Sequence, residues 1–154
     1  MEIMVEFFLI APDFPVKEVY NQIGLEGEKA QLDEATFRTL SDKSYVRDKE
    51  CSITYSTGYI KTIDVDGPIE QIFDILHSRE DSLIKCIKKF KLQSKFCIVI
   101  NLTDNPIIKL PRKFIDLASR LQADIEFDSY VSYNWRGKIT KPWPWFNLKR
   151  NKKT

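Results

Sequence analysis

Two long apolar runs constrain the fold of this chain more than any other feature of its sequence. Residues 3–11 and 96–102 are nearly continuous stretches of Ile, Val, Phe and other apolar residues. Both are far shorter than the roughly 20 residues that span a bilayer. A strand with one wet face would alternate apolar and polar residues, so both runs are predicted to be central strands of a sheet, covered on both faces.

Helix signals surround these runs. Residues 15–24 combine a starting proline, apolar residues at helical spacing and a terminal glycine. Residues 68–91 predict a longer helix, in which the polar stretch 77–82 permits a bend. Pro111 begins a third helix, whose predicted inward-facing residues are Phe114, Ile115, Ala118 and Leu121.

Two alternating segments predict strands with one exposed face. Residues 51–59 alternate β-branched and aromatic side chains with small polar ones, and residues 124–131 alternate mostly apolar side chains with Glu126, Asp128 and Tyr130. The second strand is therefore expected to have an acidic face. Residues 25–50 show no sustained period, and a loop with a short strand or helix is expected there.

The order of the elements predicts the fold class. They follow one another as strand, helix, variable segment, strand, long helix, strand, helix and strand. This order predicts an α+β fold in which helices pack on one mixed or antiparallel sheet, a ferredoxin-like variant. A single domain is expected over residues 1–134, followed by a basic, aromatic tail over residues 135–154.

Charge is distributed unevenly between these two parts. The tail contains seven of the 24 Lys and Arg residues and no acid. The net charge of +2 therefore divides into +7 for the tail and −5 for residues 1–134, which hold 17 basic and 22 acidic side chains. An acidic domain suits a basic partner, because opposite charge speeds association.

The tail also contains all three tryptophans of the chain. Pro142 and Pro144 stiffen an extended segment that presents Trp143, Trp145 and Phe146 as anchors. Four roles fit this segment: covering its own domain or a second subunit, docking a protein partner, lying at a membrane interface, or stacking on nucleic-acid bases. The acidic domain would repel phosphate, which disfavours nucleic acid.

No residue pattern predicts catalysis, a metal or a cofactor. His77 is the sole histidine, and no nucleophile accompanies it at a defined spacing, which argues against a catalytic triad or a histidine-rich metal site. Residues 64–67 begin like a calcium loop, but the glycine and glutamate that such a loop requires are missing. Glu126 and Asp128 could share acid and base roles, yet such pairs also occur on any solvated strand.

Cysteine usage and the amino terminus indicate the compartment. Cys51, Cys86 and Cys97 have no close spacing, and reduced thiols in or near the core are expected. The first residues show neither the basic cluster nor the cleavage site of a signal peptide. A cytoplasmic protein is expected.

Several of these segments resemble the bacterial domain-of-unknown-function family numbered 4279. The resemblance extends over about residues 4–132 and is most specific at Thr57, Gly58 and Tyr59 and over residues 124–130. It is carried by residues 52–59, 64–66, the long helix, the strand at 96–101 and residues 123–130. The resemblance implies bacterial origin, no established enzymatic activity, and occurrence beside polymorphic toxin genes, a context that suggests an immunity role.

The expected function follows from this resemblance and from the acidic domain. We expect a non-enzymatic cytoplasmic protein that binds and neutralises a cognate protein toxin, without cofactor or metal. A homodimer is a further candidate assembly, whereas membrane and nucleic-acid partners are not expected. The candidate partner-binding residues are Glu126, Asp128, Tyr130, Trp143, Trp145 and Phe146.

Two alternatives stay open. One is a small ligand-binding domain or enzyme with a pocket formed by Tyr55, Tyr59 and the carboxylates of the last strand. The other is a nucleic-acid binder driven by the tail.

Overall fold

A computed structural model describes residues 1–25, 30–34, 36–39, 45–102 and 108–131. The elements within these residues are β1 (Glu2–Ala11), α1 (Val16–Ile23), β2 (Ala30–Asp33), β3 (Thr36–Thr39), β4 (Tyr45–Lys49), β5 (Cys51–Ser56), β6 (Ile60–Lys61), α2 (Asp66–His77), α3 (Glu80–Phe90), β7 (Gln93–Leu102), α4 (Arg112–Arg120) and β8 (Asp124–Val131).

The main sheet has the strand order β2-β5-β1-β7-β8, and β6 pairs with β1 beyond the end of β5. β1 lies antiparallel to both β5 and β7, and β2 lies antiparallel to β5. With α1 and the pair α2 and α3, these four strands form the βαββαβ arrangement of a ferredoxin-like fold. α4 and β8 add a parallel strand beside β7. The predicted α+β class, with helices on one mixed sheet, is confirmed.

The two apolar runs are the central strands β1 and β7, as predicted. The prediction that both faces are covered is wrong for β1, whereas on β7 the consecutive residues Ile98, Val99 and Ile100 are all buried. Along β1, fully buried residues alternate with half-buried ones. The buried set faces the helices. The half-buried set includes apolar residues that side chains of neighbouring strands partly cover. Phe8 is an example, because the Lys95 ammonium lies 5.4 Å from the centre of its ring.

Three phenylalanines join the sheet to α4 in the centre of the core. Phe96 on β7 lies 4.9 Å from Phe7 on β1 and 4.7 Å from Phe114 on α4, measured between ring centroids. All three are essentially inaccessible to solvent. Ile115, predicted to face inward, is instead 46% exposed. One helical step from Phe114 rotates a side chain by about 100°, which places Ile115 beside the buried stripe rather than in it.

The end of α1 follows the predicted signal, whereas α2 begins at Asp66 rather than at the predicted Pro68. α1 ends at Gly24, whose φ of +75° is a left-handed conformation that glycine adopts without steric cost. The predicted long helix is divided into α2 and α3, which confirms the bend. Arg79 fixes this junction, because its guanidinium donates hydrogen bonds to the carbonyls of Gly24 at 2.7 Å and Ile75 at 2.9 Å.

Residues 25–50 hold more regular structure than predicted. β2 pairs with β5 at one edge of the main sheet, and β3 and β4 pair with each other in a separate two-stranded sheet. These strands have only four or five residues each. So short a segment contains too few repeats for a period of two to be recognised.

Candidate partner-binding surface

The side of the main sheet that faces away from the helices is here called the open face. Residues directly opposite each other on neighbouring strands point to the same side of a sheet, so the strand register assigns its members. Six carboxylates and two lysines belong to it among the residues that the structure describes: Glu2, Glu6, Asp33, Asp124, Glu126, Asp128, Lys61 and Lys95. The open face is therefore strongly acidic.

The centre of the open face is a row of three side chains from three strands. Glu6 on β1 is in register with Cys97 on β7, which is in register with Glu126 on β8. Glu126 and Asp128, two residues apart on β8, are both exposed. The acidic face predicted for the last strand is confirmed, and pairing extends it inward to Glu6.

Burial raises the pKa of Glu6 above its ordinary value, although a hydrogen bond with the Ser56 side chain partly opposes this shift. Burial also raises the pKa of the Cys97 thiol, and the neighbouring carboxylates Glu6, Asp128 and Glu126 raise it further. A thiol is nucleophilic only as the thiolate. These shifts disfavour the nucleophilic thiolate of Cys97.

Lys95 is the one base at the centre of the open face, among the residues described. Its ammonium lies 3.0 Å from the Glu126 carboxylate. The same ammonium is positioned over the Phe8 ring, an arrangement that the ring quadrupole favours. Lys95 therefore compensates part of the negative charge of the open face, next to Glu126.

Tyr130 continues the row of acids on β8. Its hydroxyl donates a hydrogen bond of 2.5 Å to Asp128. This hydrogen bond is the largest cause that raises the pKa of the Tyr130 phenol. The ring is 54% exposed, so Tyr130 presents an aromatic surface next to a fixed carboxylate.

The residues Thr57, Gly58 and Tyr59 form a β-bulge beside this surface. Glu6 pairs with Ser56, and Ile3 pairs with Ile60. Between these two pairs, β1 has two residues, whereas the facing segment 57–59 has three. Gly58 adopts a φ of +70°, which suits a glycine in a bulge. Its N–H donates to the Ser56 hydroxyl at 3.1 Å, the same side chain that bonds Glu6.

The bulge determines where Tyr59 lies. Without the extra residue, the alternation of Ile53 and Tyr55 would carry Tyr59 to the helix-covered face, as the predicted strand over residues 51–59 implied. Instead Ile60 pairs with Ile3, which is buried, and Tyr59 is 56% exposed. The Tyr59 phenol contributes to the raised pKa of Tyr130.

The pocket proposed for Tyr55, Tyr59 and the carboxylates of β8 is not formed. Tyr55 is 4% exposed and alternates with the open-face residues Thr54 and Ser56 along β5, so it lies on the opposite side of the sheet from Glu126. A cleft of about 140 Å³ is found elsewhere, between α3 and α4. This volume is well below the roughly 300–1,000 Å³ of typical ligand pockets.

Three of the predicted partner-binding residues, Trp143, Trp145 and Phe146, lie outside the described residues. Glu6 and Lys95, by contrast, belong to the surface but were not among the predicted residues. Glu6 gave a signal, since it is a carboxylate inside a run interpreted as covered on both faces. Lys95 directly precedes the second apolar run, and no sequence pattern marks it as part of this surface.

The cysteines agree with their prediction: Cys51 and Cys86 are buried and Cys97 is half-buried, and all three are free thiols. Among the described side chains, no group of three or more His, Cys, Asp or Glu residues is arranged to hold a metal ion. In the same part of the chain, no helix combines the length and the apolar character needed to cross a membrane.

Comparison with known proteins gave one match. The model of the family described as Domain of unknown function (DUF4279) matches residues 1–132, which include every described element. Neither a curated protein nor a solved structure matches the chain.

Proposed function

The chain belongs to the DUF4279 family, and we propose that it is a cytoplasmic immunity-type protein that neutralises a cognate bacterial toxin by binding it directly. The observation that carries this proposal is the open face. Six carboxylates from three strands converge there with two lysines from two further strands. The gene context implied by the family supplies the class of partner.

Electrostatics supports a protein partner with a basic surface. Like charges gathered on one side of a domain raise the association rate of an oppositely charged protein and disfavour acidic competitors. Glu126, Asp128 and Tyr130 are exposed on a regular strand, so little ordering is required before they make contact. Many toxins that act on nucleic acids need a basic surface, and an acidic sheet complements such a surface by mimicking the charge of phosphates.

The open face also suits protein binding better than small-molecule binding. It is a sheet surface, with an aromatic side chain, Tyr130, held beside Asp128. Exposed tyrosines are frequent anchors in protein interfaces, because the ring buries a large area at low cost in conformational entropy. The raised pKa of the Cys97 thiol disfavours a nucleophilic thiolate in the centre of this face.

The test combines charge reversal with a matched control. Glu126→Lys together with Asp128→Lys should lower the association rate with the toxin encoded by the neighbouring gene at least tenfold at low salt, and should abolish protection of cells that express this toxin. The control, Asp74→Lys with Asp116→Lys, reverses two exposed acids on the helices and should leave both properties nearly unchanged.

Two results would contradict the proposal. If the unmodified protein forms no complex with the product of either neighbouring gene, and gives no protection against it, the immunity role is wrong. If the helix variant loses binding and the strand variant retains it, the surface is wrong.

A further inference from the structure

β8 is at the edge of the main sheet. Among the strands that the structure describes, it pairs with β7 alone, in parallel register over its eight residues. Every second N–H and C=O group of an edge strand points away from the neighbouring strand, so such an edge is a template for a further strand. β2, at the opposite edge, has only four residues. β8 is therefore the longer of the two described edges and the better template.

The sequence of β8 selects by charge what can pair with this edge. Natural sheets block their edges with short strands, bulges, prolines or lysines. β8 is regular in register and contains neither proline nor lysine, and its charged residues are the three acids Asp124, Glu126 and Asp128. Carboxylates on one strand disfavour an acidic neighbour and favour a basic one. The edge is thus open to a basic strand rather than blocked.

A second copy of the chain fits this edge poorly. Closed dimers have two-fold symmetry, and a two-fold axis normal to the sheet would pair β8 with itself in antiparallel orientation. The two registers that pair most of the strand are centred on Phe127 and on Asp128. The first places Glu126 of each copy opposite Asp128, and the second places the two Asp128 side chains opposite each other. Like charges directly opposite each other are destabilising, so the edge disfavours self-association.

The helix side of β8 requires an apolar side chain from an incoming strand. Phe127 is in register with the buried Ile98 of β7, so its side chain lies on the helix side of the sheet, yet it is 48% exposed. Ile125, on the same side, is partly buried and packs against the core. An apolar residue placed beside Phe127 would cover the exposed part of its ring, and aromatic residues pair favourably with β-branched ones across strands.

These features define the segment that fits. Its basic residues lie on the side of Glu126 and Asp128, and its apolar residues lie on the side of Phe127. Since successive side chains of a strand point to opposite faces, basic and apolar residues must alternate along it. We propose that the outer edge of β8 takes up an extended segment of this kind from the basic partner by main-chain pairing. The class of partner rests on the proposed function, whereas the kind of segment follows from β8 itself.

A synthetic peptide tests the edge in the absence of any toxin. The probe consists of four Lys-Val repeats with blocked ends, and amide hydrogen exchange of the full chain is the measurement. The outward-facing amides of β8 should exchange rapidly in the unbound protein, and saturating probe should slow them about tenfold or more. The control peptide has N-methyl groups on its four central residues. It keeps the charge and the side chains but cannot pair through its backbone, so it should give no slowing.

Two substitutions in the protein form a matched pair. Phe127 and Ile115 are exposed to a similar extent, 48% and 46%, and Ile115 lies on α4 rather than at the edge of the sheet. Phe127→Ser should weaken binding of the probe about fivefold or more, because the apolar contact on the helix side is lost. Ile115→Ser should leave binding unchanged. An equal effect of the two substitutions would contradict the contact with Phe127.

Three results of the exchange experiment would overturn the proposal. They are slow exchange of the outward-facing β8 amides in the unbound chain, which would show that another segment covers the edge, no slowing by the probe, and equal slowing by the methylated peptide.

The toxin encoded by the neighbouring gene separates this inference from the proposed function. A toxin complex in which the outward-facing amides of β8 still exchange rapidly would refute pairing at the edge and leave the immunity role intact. Binding of the probe without any toxin complex would refute the immunity role and leave the site on β8 intact.

Discussion

Val5 and Thr57 exchange two hydrogen bonds across the main sheet. The N–H of Val5 donates to the Thr57 hydroxyl, and the N–H of Thr57 donates to the Val5 carbonyl, each at 3.0 Å. A side chain thus replaces a backbone acceptor where the bulge interrupts regular pairing. The Thr57 hydroxyl in turn donates to the Gly58 carbonyl at 2.9 Å. The family resemblance is most specific at Thr57, Gly58 and Tyr59, and these hydrogen bonds give Thr57 a structural role beside the open face.

Thr57→Val removes the acceptor for the Val5 N–H while keeping the shape of the side chain. We expect the free energy of unfolding to fall by about 1–2 kcal/mol, because an inner backbone N–H loses its partner. Thr57→Ser retains the hydroxyl and should cost clearly less. Urea denaturation of the three proteins measures the difference, and an equal loss for both variants would show that the methyl group matters rather than the hydrogen bond.

Gly58→Ala tests the conformation of the bulge. A Cβ at Gly58 would meet no atom within 4 Å, so the cost comes from its positive φ alone. We expect a loss of about 1–2 kcal/mol in unfolding free energy. Gly67→Ala is the control, since Gly67 is equally uncrowded and has no positive φ. Thermal unfolding should show a lower midpoint for the first variant and an unchanged or higher one for the second.

Phe114→Ala tests the aromatic contact between α4 and the sheet. Removing a fully buried ring that packs on Phe96 should cost about 3–5 kcal/mol. Ile115→Ala, at the neighbouring exposed position, should cost about 1 kcal/mol or less. Chemical denaturation of both variants checks the assignment of the inward face. A larger loss at position 115 would restore the original sequence prediction.

Glu6 should make stability depend on pH. Burial raises its folded pKa above 4.5, the value for the unfolded chain. As pH rises through the interval between the two pKa values, the unfolded chain loses its proton first, so folding stability falls. Glu6→Gln removes this titration. The stability of the variant relative to the unmodified protein should therefore increase from pH 4 to pH 7, as measured by urea unfolding. A difference that is constant with pH would contradict the burial of Glu6.

Glu80 should act in the opposite direction. It accepts hydrogen bonds from Arg120, which lower its pKa below 4.5, and a contact with His77 adds to the shift. A lowered folded pKa contributes stability that is present above pH 4.5 and is lost as pH falls through the folded pKa. Glu80→Gln should thus destabilise the protein at pH 7, and the two proteins should converge towards pH 3. Persistence of the full difference at pH 3 would exclude the carboxylate as its cause.

The sequence alone determined the identity and order of the main strands and helices. Alternation along residues 124–131, the apolar runs at 3–11 and 96–102, and the stop signal at Gly24 are local patterns, and local patterns depend on the covalent spacing of side chains. They predicted the α+β class and the acidic side of β8 correctly. They were insufficient for the four-residue strands between residues 25 and 50, because a period cannot be detected over so few residues.

Only the tertiary structure decided which side chains meet. Glu6 and Glu126 are 120 positions apart in the sequence, and they lie in one row because β1 and β8 both pair with β7 in a fixed register. The bulge at Gly58 turned Tyr59 outward by inserting one residue opposite β1. Strand register arises from hydrogen bonds between distant segments and from the burial of one face, and neither quantity is encoded in a local stretch of residues.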